Sequence, residues 1–320
     1  MTISKCDNKD IDHADNWYQQ GRYFNYGDHK IFYRDSDFDD LSALYSRSPI
    51  DSKSVAKDTT TQKPVLLLLH GFPTCSWDFA AIWPQLTKDF RLITLDFLGF
   101  GCSDKPKIEY SIFLQANITQ ALLSQLDIEK HHILCHDFGD TVAIELLIRL
   151  QETESIQSLV LTNGGIFADF HQPLPIQKLL ASRLGKFIAP MIGFKQFRHS
   201  MDRIFSVPLT EQKLQQYWQL LNLQQGKRVF PLLIRYMKER IKYQQRWEGG
   251  LANTLVPTGL IAGSDDPISG SQMITRFRQI KPDETTIAME NTGHYPHLER
   301  PSQFVKHLVK FYQNLNTKET

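Results

Sequence analysis

Short runs rich in hydrophobic residues alternate with helical patterns, and this rhythm limits the possible folds more than any other feature. Val65–His70 (VLLLLH) is a continuous apolar run and reads as a strand buried on both faces. Arg91–Phe97 (RLITLDF), His131–Cys135 (HHILC) and Ser158–Thr162 (SLVLT) read as the next strands. Ser76–Lys88, Ser111–Leu126 and Asp140–Leu150 between them read as helices. Strand–helix alternation predicts an α/β fold, a mostly parallel sheet with helices on both faces. Upstream, Arg22–Tyr26 and Lys30–Arg34 flank Gly27-Asp28 and predict a hairpin. Asp35 to Lys63 is polar and predicts an exposed loop. After Gly164 the rhythm breaks, and up to about Trp247 only helical patterns occur. It resumes with strand Pro257–Ala262, helix Gly270–Ile280, strand Thr285–Glu290 and helix Pro301–Asn314. The expected organisation is a polar N-terminal extension over 1–20, a core of 21–164 with 251–320, and a helical cap over 165–250. The cap would cover the carboxyl ends of the strands, where open α/β sheets bind ligands.

The chain has 320 residues, with 36 Lys and Arg against 35 Asp and Glu. Near neutrality gives no bulk electrostatic reason to bind nucleic acid or an anionic membrane surface. The cysteines, Cys6, Cys75, Cys102 and Cys135, are scattered and form no C-x-x-C pair. Residues Met1 to Asn16 are polar, without the apolar stretch of a signal peptide, and no apolar run is long enough to span a bilayer. The expectation is a cytoplasmic protein with no membrane partner. Nothing in the sequence speaks to its oligomeric state.

The strongest chemical signal is Cys135-His136-Asp137-Phe138-Gly139, at the junction of a buried strand and a helix. A nucleophile elbow needs small residues two positions either side of the nucleophile, because the turn is tight. Cys135 and Gly139 meet that need, and the nucleophile position holds Asp137. The following helix N-terminus would keep its carboxylate ionised. The competing reading is an ordinary helix N-cap. His70-Gly71-Phe72-Pro73 follows the first strong strand, where this architecture places one oxyanion-hole N–H, the other following the nucleophile. Phe72 and Phe138 are the expected donors. Gly263-Ser-Asp-Asp-Pro offers the acid, with Asp266 preferred over Asp265 because it precedes Pro267 at the turn. Gly293-His294-Tyr295-Pro296-His297 follows the last strand and offers His294 as base, with His297 the competitor. The order nucleophile, acid, histidine is the one an α/β-hydrolase uses. Trp77 and Ile166 stand beside these loops, so an apolar site for a small uncharged organic substrate is expected. Asp96-Phe-Leu-Gly-Phe-Gly lacks the third glycine of a dinucleotide fingerprint; Asp96 and Asp104 more simply brace the Gly99–Gly101 turn.

His70-Gly-Phe-Pro, Cys135-His-Asp-Phe-Gly, Gly263-Ser-Asp-Asp-Pro and Gly293-His-Tyr-Pro-His-Leu-Glu together resemble the epoxide hydrolase and haloalkane dehalogenase branch of the α/β-hydrolases, over roughly Tyr23 to Tyr312. Within it, Leu95-Asp-Phe-Leu-Gly-Phe-Gly-Cys-Ser-Asp-Lys-Pro, His136-Asp-Phe-Gly-Asp and Thr162-Asn-Gly-Gly-Ile-Phe resemble the mesoderm-specific transcript protein family. The resemblance implies a covalent ester on Asp137, hydrolysed by a water that His294 activates and Asp266 orients, with no cofactor. Dehalogenases of this branch hold the halide with a Trp after the nucleophile and often an Asn after the first His-Gly; here Phe138 and Phe72 stand there. That favours epoxide-hydrolase-like chemistry over halide displacement. Epoxide opening requires cap tyrosines as proton donors, and Tyr236 is the candidate, with Tyr243 and Tyr217 behind it. No tyrosine lies between Gly165 and Gln216, where a second is expected. A non-catalytic binding or interaction protein on the same scaffold is the alternative of another class. A serine esterase is set aside, because the elbow holds no serine.

Overall fold

The computed structural model describes residues 14–39, 63–170 and 172–318. The N-terminal residues and most of the polar loop expected after Asp35 lie outside them. Among the described residues there is one eight-stranded sheet. Its strands are β1 (Arg22–Tyr26), β2 (His29–Asp35), β3 (Val65–Leu69), β4 (Arg91–Leu95), β5 (His131–Cys135), β6 (Ile156–Leu161), β7 (Thr258–Gly263) and β8 (Thr285–Met289). Their order is β1-β2-β4-β3-β5-β6-β7-β8. The β1–β2 hairpin and the β2–β4 contact are antiparallel, and all other pairs are parallel.

Burial follows from the sequence. Leu66 to Leu69 of β3 are wholly buried, as are Thr258 to Gly263 of β7, because helices cover both faces. β8 is the edge strand, and only Met289 in it is buried. From β3 the chain goes to β4 on one side, then crosses back to β5 on the other. This reversal opens a crevice beyond the carboxyl ends of β3 and β5, the place where such sheets take ligands. Leu69 lies opposite Cys135 in the register, so the loops after these two strands meet.

Element boundaries differ from the sequence reading where proline intervenes. Ser76–Lys88 is not one helix. It is a 3-10 turn, Ser76–Phe79, then a short helix Trp83–Leu86 with Pro84 in its first turn. β7 begins at Thr258, because Pro257 has no N–H for the ladder; its carbonyl still accepts from the Leu159 N–H. The helical stretch around Tyr236 is three pieces, Phe230–Leu233, Tyr236–Lys242 and Gln244–Asn253. The polar extension ends in a docked helix, Ala14–Gln19. Its Trp17 is buried, packs edge-on against Trp83 at 5.0 Å and donates to Ser76 Oγ at 3.1 Å.

Between β6 and β7 the described residues form helices and no strand. Pro175–Leu180, Phe194–Asp202 and Glu211–Asn222 are the helices that begin this insertion's cover over the strand ends, with Gly185–Ile188 between them.

Candidate active site

Asp137 occupies the elbow with φ 47° and ψ −102°, a conformation that non-glycine residues avoid. The backbone is held there on both sides. Its N–H donates to the Asn163 carbonyl at 3.0 Å, and Gly139 donates to the His70 carbonyl at 3.0 Å. A Cβ on Gly139 would collide with the Leu69 carbonyl, and one on Gly164 with the Asp140 carboxyl, which is why small residues surround the turn. Asp137 makes no side-chain cap on its own helix; instead its Oδ2 accepts from the Phe72 N–H at 3.0 Å. The capping role is therefore absent. Phe138 opens the helix, so its N–H belongs to the first turn, which has no intrahelical acceptor.

His294 Nδ1 lies 2.8 Å from Asp266 Oδ2. Burial pushes Asp266 up, but the His294 charge and hydrogen bond, with Ser269 and the Ile268 N–H, bring it down to about 2. Burial pushes the His294 ring down, but Asp266, with help from Asp137 and Asp140, lifts it to about 9. The pair is thus imidazolium and carboxylate at neutral pH. Asp265 is not the partner: Asp266 takes the bonds from Asn163, Ile268 and Ser269 as well.

Asp137 and His294 both face one cavity under the insertion. Its other walls are chiefly Leu174, Ile176, Leu180, Ile192, Phe197 and Met201. The space is narrow, with about 70 Å³ in which the centre of a water-sized sphere can move. Phe72 is in the wall, but Phe138, Trp77, Ile166 and Tyr236 are not. Trp77 packs on Tyr217 at 4.6 Å, and Ile166 is buried in the core. Phe138 and Tyr236 form the layer behind, 5.0 Å apart, with Tyr236 5.9 Å from Phe72. The Tyr236 hydroxyl is buried without a protein partner, and burial followed by the Asp137 charge holds it firmly protonated. Tyr217 donates to Asp78 Oδ1 at 2.8 Å, and Tyr243 packs on Phe113.

Several contributors escaped the sequence reading. Arg240, buried, donates from Nη2 to the Asp137 carbonyl at 2.6 Å and lies 3.5 Å from Asp137 Oδ1. Its Nε donates to Thr141 Oγ1 at 2.8 Å, and Tyr236 sits under its guanidinium at 4.6 Å. Asn163 joins β6 to the acid loop, donating to Asp266 Oδ2 at 3.0 Å and accepting from the Gly263 N–H at 2.7 Å. Glu299 accepts from the N–H groups of Ser206, Val207, Gly293 and Tyr295, fixing the His294 loop. Burial holds His70 down at about 4; its Nε2 accepts from the Phe97 N–H, so Nδ1 donates to the Gly71 carbonyl. Asp96 and Asp104 brace the glycine turn as expected, accepting from the N–H groups of Cys102 and Lys30. Cys75, Cys102 and Cys135 are free thiols.

One group among the described residues has metal-ligand types in reach of one another: Asp78, His136 and His297, within 4.8 Å. Both Asp78 oxygens already accept from Thr74 Oγ1 and the Tyr217 hydroxyl. His136 Nε2 donates to the His294 carbonyl at 2.9 Å. His297 is therefore not a second base in the cavity but part of this buried cluster.

The elbow, the late acid and the final histidine thus come together at one site. Residues 64–301 match the family model described as alpha/beta hydrolase fold. The chain belongs to the α/β-hydrolase fold family. This hydrolase-fold chain is 37% identical to the bovine mesoderm-specific transcript homolog protein, over 92% of its own length and 86% of the relative's. The haloalkane dehalogenase DbeA of Bradyrhizobium elkani superposes with a TM-score of 0.74 at 19% identity, covering 93% of this chain and 99% of that one. The epoxide hydrolase CorEH gives a TM-score of 0.68 at 18% identity, covering 92% and 99%. Both structures share the fold. No helix among the described residues is long and apolar enough to cross a membrane.

Proposed function

We propose that the protein hydrolyses small uncharged electrophiles, epoxides first among them, through an ester on Asp137. The observation that carries this reading is the Asp137 carboxylate itself. It is held at a strained elbow, takes the Phe72 N–H on one oxygen, and faces an apolar cavity shared with the His294–Asp266 pair. A strained backbone maintained by its surroundings is a mark of functional positions.

In the first step a carboxylate oxygen of Asp137 forms a bond to an epoxide carbon as that carbon's ring C–O bond breaks. The departing oxygen takes up a proton, and the donor this reading assigns is Tyr236, which stands behind Phe72 and must swing past it to reach the cavity. Its lack of a protein partner and its nearness to Asp137 favour it over Tyr217 and Tyr243, which are engaged elsewhere. In the second step water attacks the ester carbonyl carbon while His294, neutral at that moment, takes its proton. The Phe72 and Phe138 N–H groups hold the tetrahedral oxyanion. As the tetrahedral intermediate collapses, the ester C–O bond breaks, the leaving alkoxide takes the proton from His294, and the new carboxyl returns its proton to the Tyr236 phenolate; the diol leaves and Asp137 is again a carboxylate, carrying one oxygen from water. The residues need no cofactor for these steps. Apolar walls and restricted volume favour small or medium uncharged substrates. Halide displacement would use the same ester, but neither Phe72 nor Phe138 offers a side-chain N–H to a leaving halide. Trp77 and Ile166 act in this reading as packing behind the site, not as its walls.

The test is a mass spectrum of the His294→Gln protein with panels of epoxides, haloalkanes and esters. Loss of the base should slow ester hydrolysis by roughly 10²–10⁴-fold, enough to accumulate an adduct on Asp137. Asp137→Ala should abolish both adduct and turnover. In ¹⁸O-water a single turnover of the native protein should place label on Asp137. Full activity of Asp137→Ala on the same substrate would end this reading.

A further inference from the structure

The near-neutral chain conceals a local segregation of charge. From Phe170 to Met201 there is no Asp or Glu, while Lys178, Arg183, Lys186, Lys195 and Arg198 all fall there. Arg198 pairs with Glu211 and Asp202. The other four are exposed, and none is in an ion pair with a described residue. The same stretch leaves its large apolar side chains in water: Leu179 is 40% exposed, Leu184 59%, Phe187 63% and Met191 79%. The four fall within Leu179–Met191, on short helical turns that pack against one another in succession. Helix Pro175–Leu180 turns tightly into Gly185–Ile188, where a Cβ on Gly185 would strike the Leu180 carbonyl, and the chain runs on into the turn Ala189–Met191. The Lys186 ammonium lies 4.8 Å from the Phe187 ring, an apolar tip flanked by a cation. The inner side of this segment, through Leu174, Ile176, Leu180 and Ile192, lines the cavity that holds Asp137 and His294.

We propose that this face, Leu179 to Met191 with its four flanking cations, docks onto an anionic lipid bilayer surface. Exposed contiguous apolar patches mark interaction sites. Apolar side chains ringed by Lys and Arg, with no acid among them, fit the boundary between acyl chains and anionic headgroups. A water-soluble protein partner of mixed charge would not call for complete exclusion of acids over the segment. Docking would set the back of the cavity wall at the lipid boundary, where an apolar electrophile is concentrated. This departs from what the overall charge implies, because membrane surfaces respond to local patches. The docking is read without turnover, so it stands or falls apart from the role proposed for Asp137.

The experiment is co-sedimentation of the full chain with phosphatidylcholine vesicles, with and without phosphatidylserine, at low and high salt. Binding is expected only with phosphatidylserine present and should weaken as salt rises. Lys178→Gln with Arg183→Gln and Lys186→Gln should weaken it roughly 100-fold, from about 1 kcal/mol per cation and 1.4 kcal/mol per tenfold change. Leu184→Ser with Phe187→Ser and Met191→Ser should abolish it. All six positions are exposed, and unchanged thermal midpoints would verify that folding is intact. No partition onto phosphatidylserine vesicles, equal partition onto neutral ones, or full retention by either triple variant overturns the proposal. A native protein that ignores vesicles but forms a dimer lost in the apolar variant would reassign the face to self-association.

Discussion

His294 must lose a proton before it can serve as a base, yet in the resting site Asp266, Asp137 and Asp140 lift it to about 9 against its burial. Once Asp137 is an ester its negative charge is gone, and one of the groups that lift His294 goes with it. The ring then titrates lower than in the resting enzyme, and the hydrolytic step frees its own base. Ester hydrolysis should therefore rise with pH, with an acid limb below the resting value, whereas alkylation, which needs no base, should stay flat between about pH 6 and 9. Rapid-quench measurement of the two rates would check this; identical profiles would remove His294 from the second step alone. Arg240 allows a second residue-level test. It pairs with Asp137 at 3.5 Å in a buried setting, and removing one member of such a pair costs about 3–5 kcal/mol. Arg240→Met should lose stability of that order in urea unfolding, with Arg240→Lys recovering part of it. A stable Arg240→Met protein would mean that the cavity solvates Asp137 well enough unaided.

The loop that carries His294 owes its shape to Glu299, which receives four backbone N–H groups from two segments. Hydrogen bonds to charged groups contribute about 1.5–3 kcal/mol each, and Glu299→Gln would turn a donor toward N–H groups that need an acceptor. We expect a loss of about 2 kcal/mol or more and a lower kcat from a displaced His294; unaltered stability and rate would show the loop to be held otherwise. At this scale the sequence was informative where a local pattern sufficed. β3 is an uninterrupted apolar run, and the small residues two places either side of Asp137 form a fixed-spacing motif, even though the atom a Cβ on Gly139 would strike belongs to distant Leu69. It was uninformative where a role depends on distant approach. Arg240 reaches Asp137 across 103 residues, and Asn163 reaches Asp266 across the same separation. Neither lies in a motif whose spacing would single it out. Helical periodicity also could not foresee the breaks in the insertion, nor that Trp77 and Ile166 would pack behind the cavity wall. Side chains that neighbour a motif in sequence need not neighbour it in space.

Across the whole molecule, the buried titratable groups set where the fold is most stable. Burial depresses His70, His131 and His132 to about 4 and His136 to about 3, and drives His297 well below its ordinary value. Below about pH 6.5 the unfolded chain protonates these five rings while the native state does not, so stability falls as acid is added. Two buried carboxyls act oppositely. Asp78 is raised to about 7 and Asp140 well above its ordinary value, each by burial first, so the native state keeps protons that the unfolded chain releases above about pH 4. The histidines outnumber them, and acidification from neutrality should be net destabilising. On the alkaline side His294 changes the sign. Its folded value of about 9 exceeds that of the unfolded ring, so its contribution is complete below about pH 6.5 and is lost as pH rises through 9. Stability should therefore peak close to neutrality, with an acid decline that begins near the histidine range, not in the carboxylate range. Urea midpoints taken from about pH 3 to 9 would measure this directly. A curve that stays level down to pH 5 and breaks only below about pH 4 would mean that the buried imidazoles reach water in the native state.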